Sequence, residues 1–273
     1  MHRIIIISSI LLLFNSCEQL VNIGDLRSSQ KYPAQVGHEW EYYTEWLLEY
    51  YDTTGHIDST SIGPSENTIV RIIKESDTLG FYKDLVLFES FDLSTPQLVN
   101  KTWYRNTDSG LFAIAYSNAG SSQFVWPKQR HIALEQVTNF ISTIGILPGF
   151  ADGNTALYPH IDTVQYYSPP RKVLTYPLMI GSRWIELTIP FFRERYIDKQ
   201  QIINANGINY NCYKIESNMS WLNFEFNDYI DLNSGLIKRE VIADSIMLVT
   251  VANPDSGAFV KSTTISKLVR ERK

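Results

Sequence analysis

The chain is predicted to be mainly β, with two related antiparallel β units built as curved sheets and a loop and short-helix insert between them. Three observations carry this. Residues after Trp40 alternate with a period of two, and clusters of Asn, Asp, Ser and Gly punctuate the chain at hairpin spacing. A Tyr-Pro-x-x-x-Gly-x-x-Trp motif also occurs twice, as YPAQVGHEW from Tyr32 and YPLMIGSRW from Tyr176. The expected organisation is a signal peptide over 1–16, a tether over 17–30, a first β unit over 31–118, an insert and linker over 119–172, and a second β unit over 173–273.

The N-terminal stretch sets the compartment. His2 and Arg3 precede an apolar run from Ile4 to Phe14 that only Ser8 and Ser9 interrupt. A run of about 11 residues is too short for a bilayer helix, which needs about 20, but it suits a signal-peptide core. Asn15-Ser16-Cys17 follows. A cysteine directly after such a core resembles the lipobox of bacterial lipoproteins, which implies that Cys17 carries a diacylglycerol thioether and becomes the new N-terminus. Ser16 fits that pattern, while Phe14 and Asn15 stand where Leu and a small residue are usual. A loose lipobox and ordinary cleavage nearby are therefore both open, with the lipoprotein preferred over a plain secretory signal. Glu18 to Lys31 is mixed and polar, carries Gly24 and Ser28-Ser29-Gln30, and lacks periodicity, so it reads as a flexible leash.

Charge excludes some partners. The formal net charge is −5, and loss of Arg3 with the leader makes it one unit more negative. No basic patch exists to displace counterions from phosphates, so nucleic acid is not expected, nor is electrostatic docking on anionic lipid. With Cys17 acylated, Cys212 is the remaining thiol and no intrachain disulfide can form. Stability must then come from packing, for which 13% aromatic residues supply ample core.

From Trp40 to Tyr51 one face carries Trp40, Tyr42, Thr44, Trp46 and Leu48, and the other carries Glu41, Glu45 and Glu49. A helix would stack those three acids at four-residue spacing, where like charges repel, so a strand is predicted. Hairpins are predicted around Ser76–Gly80, Thr107–Gly110, Asn204–Gly207, Asn233–Gly235 and Asn253–Gly257, because Asn, Asp and Gly tolerate the positive φ of tight turns. Each half then follows one order: the motif, a long strand, a Gly-containing turn, a strand and a Ser-Gly-Leu turn (Ser109-Gly110-Leu111; Ser234-Gly235-Leu236). Within the motif, Pro33 and Pro177 fix φ where no ladder donor is needed. Gly37 and Gly181 allow a bend, and Trp40 and Trp184 anchor the next strand in the core. The alternative for the tryptophans is a sugar-stacking platform.

The Pro-x-x-x-Gly-x-x-Trp opening followed by a Ser-Gly-Leu turn resembles a group of uncharacterised bacterial lipoproteins of β-rich fold. More distantly, the long strands and the Gly235–Arg239 hairpin are similar to the half-barrels of periplasmic lipoprotein-sorting carriers. That second resemblance implies a concave, half-barrel sheet able to hold an apolar ligand. Neither resemblance brings a catalytic residue.

Between the units, HIALEQVTNFISTIGIL (131–147) has a face of Leu134, Val137, Ile141 and Ile144 and is predicted as a short helix. The rest of the insert reads as loop, ending in a stiff Ser168-Pro169-Pro170 link. Trp126, Tyr158, His160, Tyr166 and Tyr167 offer amphipathic surfaces for sugars, peptides or acyl chains, and the alternative is that they close the junction between units.

Catalytic signatures are largely missing. His38, His56, His131 and His160 have no metal-ligand spacing, and there is no Gly-x-Ser-x-Gly elbow and no Walker loop, so no cofactor or metal is expected. Asp228 and Asp231 read as strand-end polar residues, and Cys212 as a small buried hydrophobe. The expected function is a non-enzymatic, membrane-anchored envelope lipoprotein, by default in the outer membrane, that binds an apolar or carbohydrate ligand or an envelope protein. One alternative is a hydrolase of envelope or extracellular glycans, which requires two carboxylates within about 10 Å in an aromatic-lined cleft. Another is a structural subunit, which requires an exposed apolar patch without a pocket.

Overall fold

The computed structural model of the chain describes residues 30–63, 65–93, 98–117, 131–133, 164–188, 192–219, 223–250 and 253–273. Among these, all regular structure is strand and no helix occurs. The first half contains β1 (Glu39–Tyr51), β2 (Ile57–Ile62), β3 (Glu66–Leu79), β4 (Tyr82–Asp92), β5 (Leu98–Thr107) and β6 (Gly110–Ser117). β7 (His131–Ala133) and β8 (Gln165–Thr175) follow. The remainder is β9 (Arg183–Leu187), β10 (Arg193–Ala205), β11 (Ile208–Met219), β12 (Asn223–Asp231), β13 (Gly235–Thr250) and β14 (Asn253–Arg272).

β1 shows why these segments are strands. Trp40, Tyr42, Thr44, Trp46 and Leu48 are buried, and the residues between them face outward. Each large aromatic removes about 150–250 Å² from water, worth roughly 4–6 kcal/mol before the entropy of ordering it. Polar atoms carried inward find partners: Trp46 Nε1 donates to Ser262 Oγ at 2.7 Å, and Thr44 and Ser266 hydroxyls lie 2.6 Å apart. On the outer face the register sets Glu41 opposite Arg270 and Glu49 opposite Lys261, and both pairs form ion pairs. Charges on that face belong in water rather than in lipid.

All strands belong to one sheet, ordered β8-β6-β5-β4-β3-β1-β14-β13-β12-β11-β10-β9, with β2 added to β1 and β7 to β13. Every pairing is antiparallel except β7 with β13. The two halves of the chain are therefore one continuous sheet, joined where β1 pairs β14 from Glu39↔Arg272 to Tyr50↔Val260. The end strands β8 and β9 are consecutive in the chain, joined by the turn 176–182, and they touch. The sheet thus curls until its ends meet, as a barrel closed on one side by packing instead of a hydrogen-bond ladder.

Inside lies a core that includes Tyr32, Trp40, Phe88, Tyr104, Leu174, Trp184 and Ile230. Phe88 stacks on Trp40 at 6.1 Å and meets Tyr104 edge-on at 4.9 Å. A second cluster, Leu85, Leu87, Trp103, Ile114 and Ala115, occupies the opposite face of β4–β6 and is covered by Leu79 and Tyr82 from the tip of the β3–β4 hairpin.

Two expectations change. His131–Ala133, expected to start a helix, is β7; the rest of that segment lies outside the described residues. β12 reaches only to Asp244 of β13, so the backbone of Met247–Val249 is open on that side and β7 pairs with it. Asn253–Gly257, expected as a turn, already belongs to β14, where the register jumps between Val249↔Gly257 and Thr250↔Asn253. Residue 173 lies within β8, which pairs with β6.

Candidate functional site

The unsealed junction between β8 and β9 is where the sheet leaves room. Along β8 the register with β6 jumps from Ala113↔Arg171 to Ala115↔Tyr166, so Tyr167–Pro170 bulges out of the ladder. Pro169 and Pro170 have no N–H to offer a neighbouring strand, and β9 is only 5 residues long. Trp184 Nε1 donates to Lys172 O at 2.9 Å and ties the seam at one level. Beyond it the strands enclose a pocket of about 390 Å³ whose walls include Tyr116, Tyr166, Tyr167, Arg171, Glu186 and Leu187.

Its wall is aromatic and charged together. Tyr116 and Tyr167 stack at 5.0 Å, and the Arg171 guanidinium lies 4.3 Å over the Tyr167 ring. Burial pushes the Tyr167 phenol well above its ordinary range, with Arg171 opposing, so it stays a neutral donor at neutral pH. Glu186 links the pocket to a buried ion network behind it. Its Oε2 lies 3.3 Å from Arg193 Nε and 3.4 Å from Arg195 Nη1. Arg195 Nη2 donates to Asp228 Oδ2 at 2.8 Å, and Arg239 Nε donates to Asp228 Oδ1 at 2.6 Å. The three guanidinium carbons surround the Phe226 ring at 4.4, 5.2 and 4.7 Å. Burial alone would raise the Asp228 carboxyl, but Arg239 and Arg195 outweigh it and hold the group below its ordinary value. Desolvation lowers Arg193 to about 9, against the pull of Glu186.

The duplicated motif sits elsewhere, where the halves interlock. Gly37 and Gly181 both adopt left-handed φ, +98° and +84°. Tyr32 and Trp40 dock on the second half's Ser-Gly-Leu turn: Leu236 N–H donates to Tyr32 Oη at 3.1 Å and Trp40 Nε1 donates to Ser234 O at 2.6 Å. Tyr176 docks on the first half's turn, its N–H donating to Ser109 O at 3.2 Å. The two tyrosines meet, Tyr32 N–H donating to Tyr176 Oη at 2.9 Å. Pro33 and Pro177 follow them, the latter after a cis bond. Trp40 has no exposure and Trp184 7%, which leaves neither ring a face for a sugar.

Of the five ligand contacts expected from sequence, Tyr166 and Tyr167 line the pocket, while Trp126, Tyr158 and His160 lie outside the described residues, as does Cys17. Sequence reasoning missed Arg171, Glu186, Arg193, Arg195 and Arg239, since a charged residue on a strand reads as solvated until its neighbours are known. Asp228, expected at a strand end facing water, is instead fully buried between two arginines. Asp231 does take a strand-end role, accepting from Asn233 and Ser234 N–H. Among the described residues no group of three or more His, Cys, Asp or Glu is placed to hold a metal ion.

Together these features define a class: a nearly closed antiparallel β-barrel with an aromatic, charged pocket at its seam. No family model matches the chain, and no curated protein matches it. One solved structure it resembles is a protein from Bacteroides fragilis with a YmcC-like fold, whose description as exported is itself provisional. The two share 11% identity over 89% of this chain and 99% of that one, with a TM-score of 0.38. At that distance the likeness carries no argument about site or activity.

Proposed function

We propose that this protein is a membrane-tethered, non-enzymatic binding module of the cell envelope that holds a carbohydrate in the seam pocket. The observation that carries this reading is the pocket wall, where tyrosine rings stand beside Arg171 and Glu186. A sugar presents C–H faces to aromatic rings and hydroxyls to charged groups, so one wall satisfies both. An acyl chain laid there would face a wall in which buried charged side chains, Arg171 and Glu186, stand among the tyrosine rings, a poor match for an all-apolar ligand. The volume stands near the lower end of small-molecule sites, which run from about 300 to 1,000 Å³.

Binding is favoured over hydrolysis by the carboxylates. Among the described residues Glu186 is the one carboxylate in the pocket lining, while Asp228 lies behind Arg195 with both oxygens taken by guanidinium groups. A carboxylate held ionised and out of reach is a poor partner for acid–base cleavage. Tethering through a lipid on Cys17, by default in the outer membrane, is supported by the leader and the polar leash after it.

Binding is tested on an array of envelope polysaccharide fragments followed by calorimetry. The wild-type chain is expected to retain one glycan class, and Tyr166→Ala, at a half-exposed position, to weaken it about tenfold while still unfolding in one cooperative transition. Absence of binding to every fragment ends this reading. For the anchor, Cys17→Ser is expected to move the protein from the membrane fraction to the soluble fraction and to abolish palmitate labelling.

A further inference from the structure

We propose that the tip of the β3–β4 hairpin is the outer half of the same ligand site, with Phe81 stacking on a second sugar of a glycan chain whose first sugar fills the seam pocket. This rests on the carbohydrate reading of that pocket and names its ligand as a chain of at least two residues.

Phe81 is fully exposed in the turn joining β3 to β4. A lone exposed apolar residue needs no explanation, but the hairpin beneath this one is bent to a particular place. Its register shifts between Ile72 and Lys74, between Lys74 and Asp77, and between Asp77 and Leu79. Ser76 and Asp84 both adopt left-handed φ, +52° and +56°, although neither is glycine. The bend carries the tip over the outer face of β5 and β6. Trp103 Nε1 donates to Asp77 Oδ2 at 3.0 Å, and Arg105 donates to Lys83 O at 3.1 Å while lying 5.4 Å over the Tyr82 ring.

The tip ends on Tyr166, at the pocket wall. Tyr82 stacks on the Tyr166 ring at 6.1 Å, and Gly80 is so close that a Cβ there would come within 3.0 Å of Tyr166 Oη. Phe81 stands between these two residues. Phe81 itself faces water, and the contacts of Gly80 and Tyr82 on either side fix where the turn that carries it lies. An exposed aromatic in the turn between Gly80 and Tyr82, the two residues that meet Tyr166, offers a further stacking surface outside the pocket wall, where the next residue of a chain would lie.

The test uses a partial hydrolysate of the host's own envelope polysaccharide, separated by chain length, titrated against wild type, Phe81→Ala and Tyr166→Ala. Phe81 touches solvent, so its loss leaves folding intact, which the unfolding midpoint checks. The expected result is that chains of two or more residues bind roughly fivefold to tenfold tighter than single residues. Phe81→Ala should remove that gain while leaving single-residue binding unchanged, and Tyr166→Ala should weaken every length. If Phe81→Ala binds all lengths as wild type does, the hairpin is not part of the site, although the pocket reading stands. If no length binds to wild type, both fall.

Discussion

Asp228 shows what a single buried side chain can demand. It has no exposure, and its two oxygens are held by Arg195 and Arg239, themselves fully buried. Removing its charge takes the anion from between two buried guanidinium groups, so Asp228→Asn is expected to cost about 3–5 kcal/mol in urea unfolding at neutral pH. The acid dependence follows from the direction of its shift. A carboxyl held below its ordinary value in the folded state contributes stability above the unfolded pKa, about 3.9, and loses it as pH falls through the folded value. Unfolding midpoints measured from pH 7 to 2 should therefore drop below about pH 4, and Asp228→Asn should flatten that drop. Cys212 makes the opposite case. It is buried, and desolvation pushes its thiol up to about 12, so iodoacetamide at pH 8 should label it only when denaturant is added.

Pairs of strands carry the next level. β1 and β14 share a ladder from Glu39↔Arg272 to Tyr50↔Val260, whereas β8 and β9 meet without one. Amide hydrogen exchange should therefore be slow along β1 and β14 and orders of magnitude faster at the facing edges of β8 and β9. The turns that lock the halves are equally specific. At Gly235, with φ +86°, an added Cβ would stand 2.7 Å from Tyr32 Oη and 3.3 Å from Trp40 Nε1. Gly235→Ala should lower the unfolding midpoint clearly more than Gly207→Ala, where φ is also positive but nothing lies within 4 Å. That difference isolates the contact from the backbone cost.

For the whole molecule, the sheet is long enough to curl and bring its ends together, and the irregularity of β8 and brevity of β9 leave the closure incomplete. An opening at an unpaired edge exposes backbone groups that invite another strand, and Pro169 and Pro170 restrict that on β8. The site at this opening was half legible. Tyr166 and Tyr167 stood out in the sequence as amphipathic residues of the insert in which the two halves differ, where loops on a β scaffold carry function. Arg171 and Glu186 did not, because their charge pointed to solvent, and their burial depends on how β8, β9 and β10 come together at the seam. Phe81 was equally silent, since its significance lies in a bend that ends on Tyr166.

Local physics was sufficient for much of this protein. Alternation set which face of β1 is buried, Asn, Asp and Gly marked four of the hairpin turns, and the short apolar leader before Cys17 set the expectation of export. Each of those signals is read within a few residues. The tertiary structure alone decided the rest: that the halves make one sheet, that the two Tyr-Pro motifs interlock across it, and that three arginines point inward. Those outcomes rest on contacts between distant positions, such as Leu236 with Tyr32 or Arg195 with Asp228. No periodicity encodes them, because they exist only once the sheet has curled.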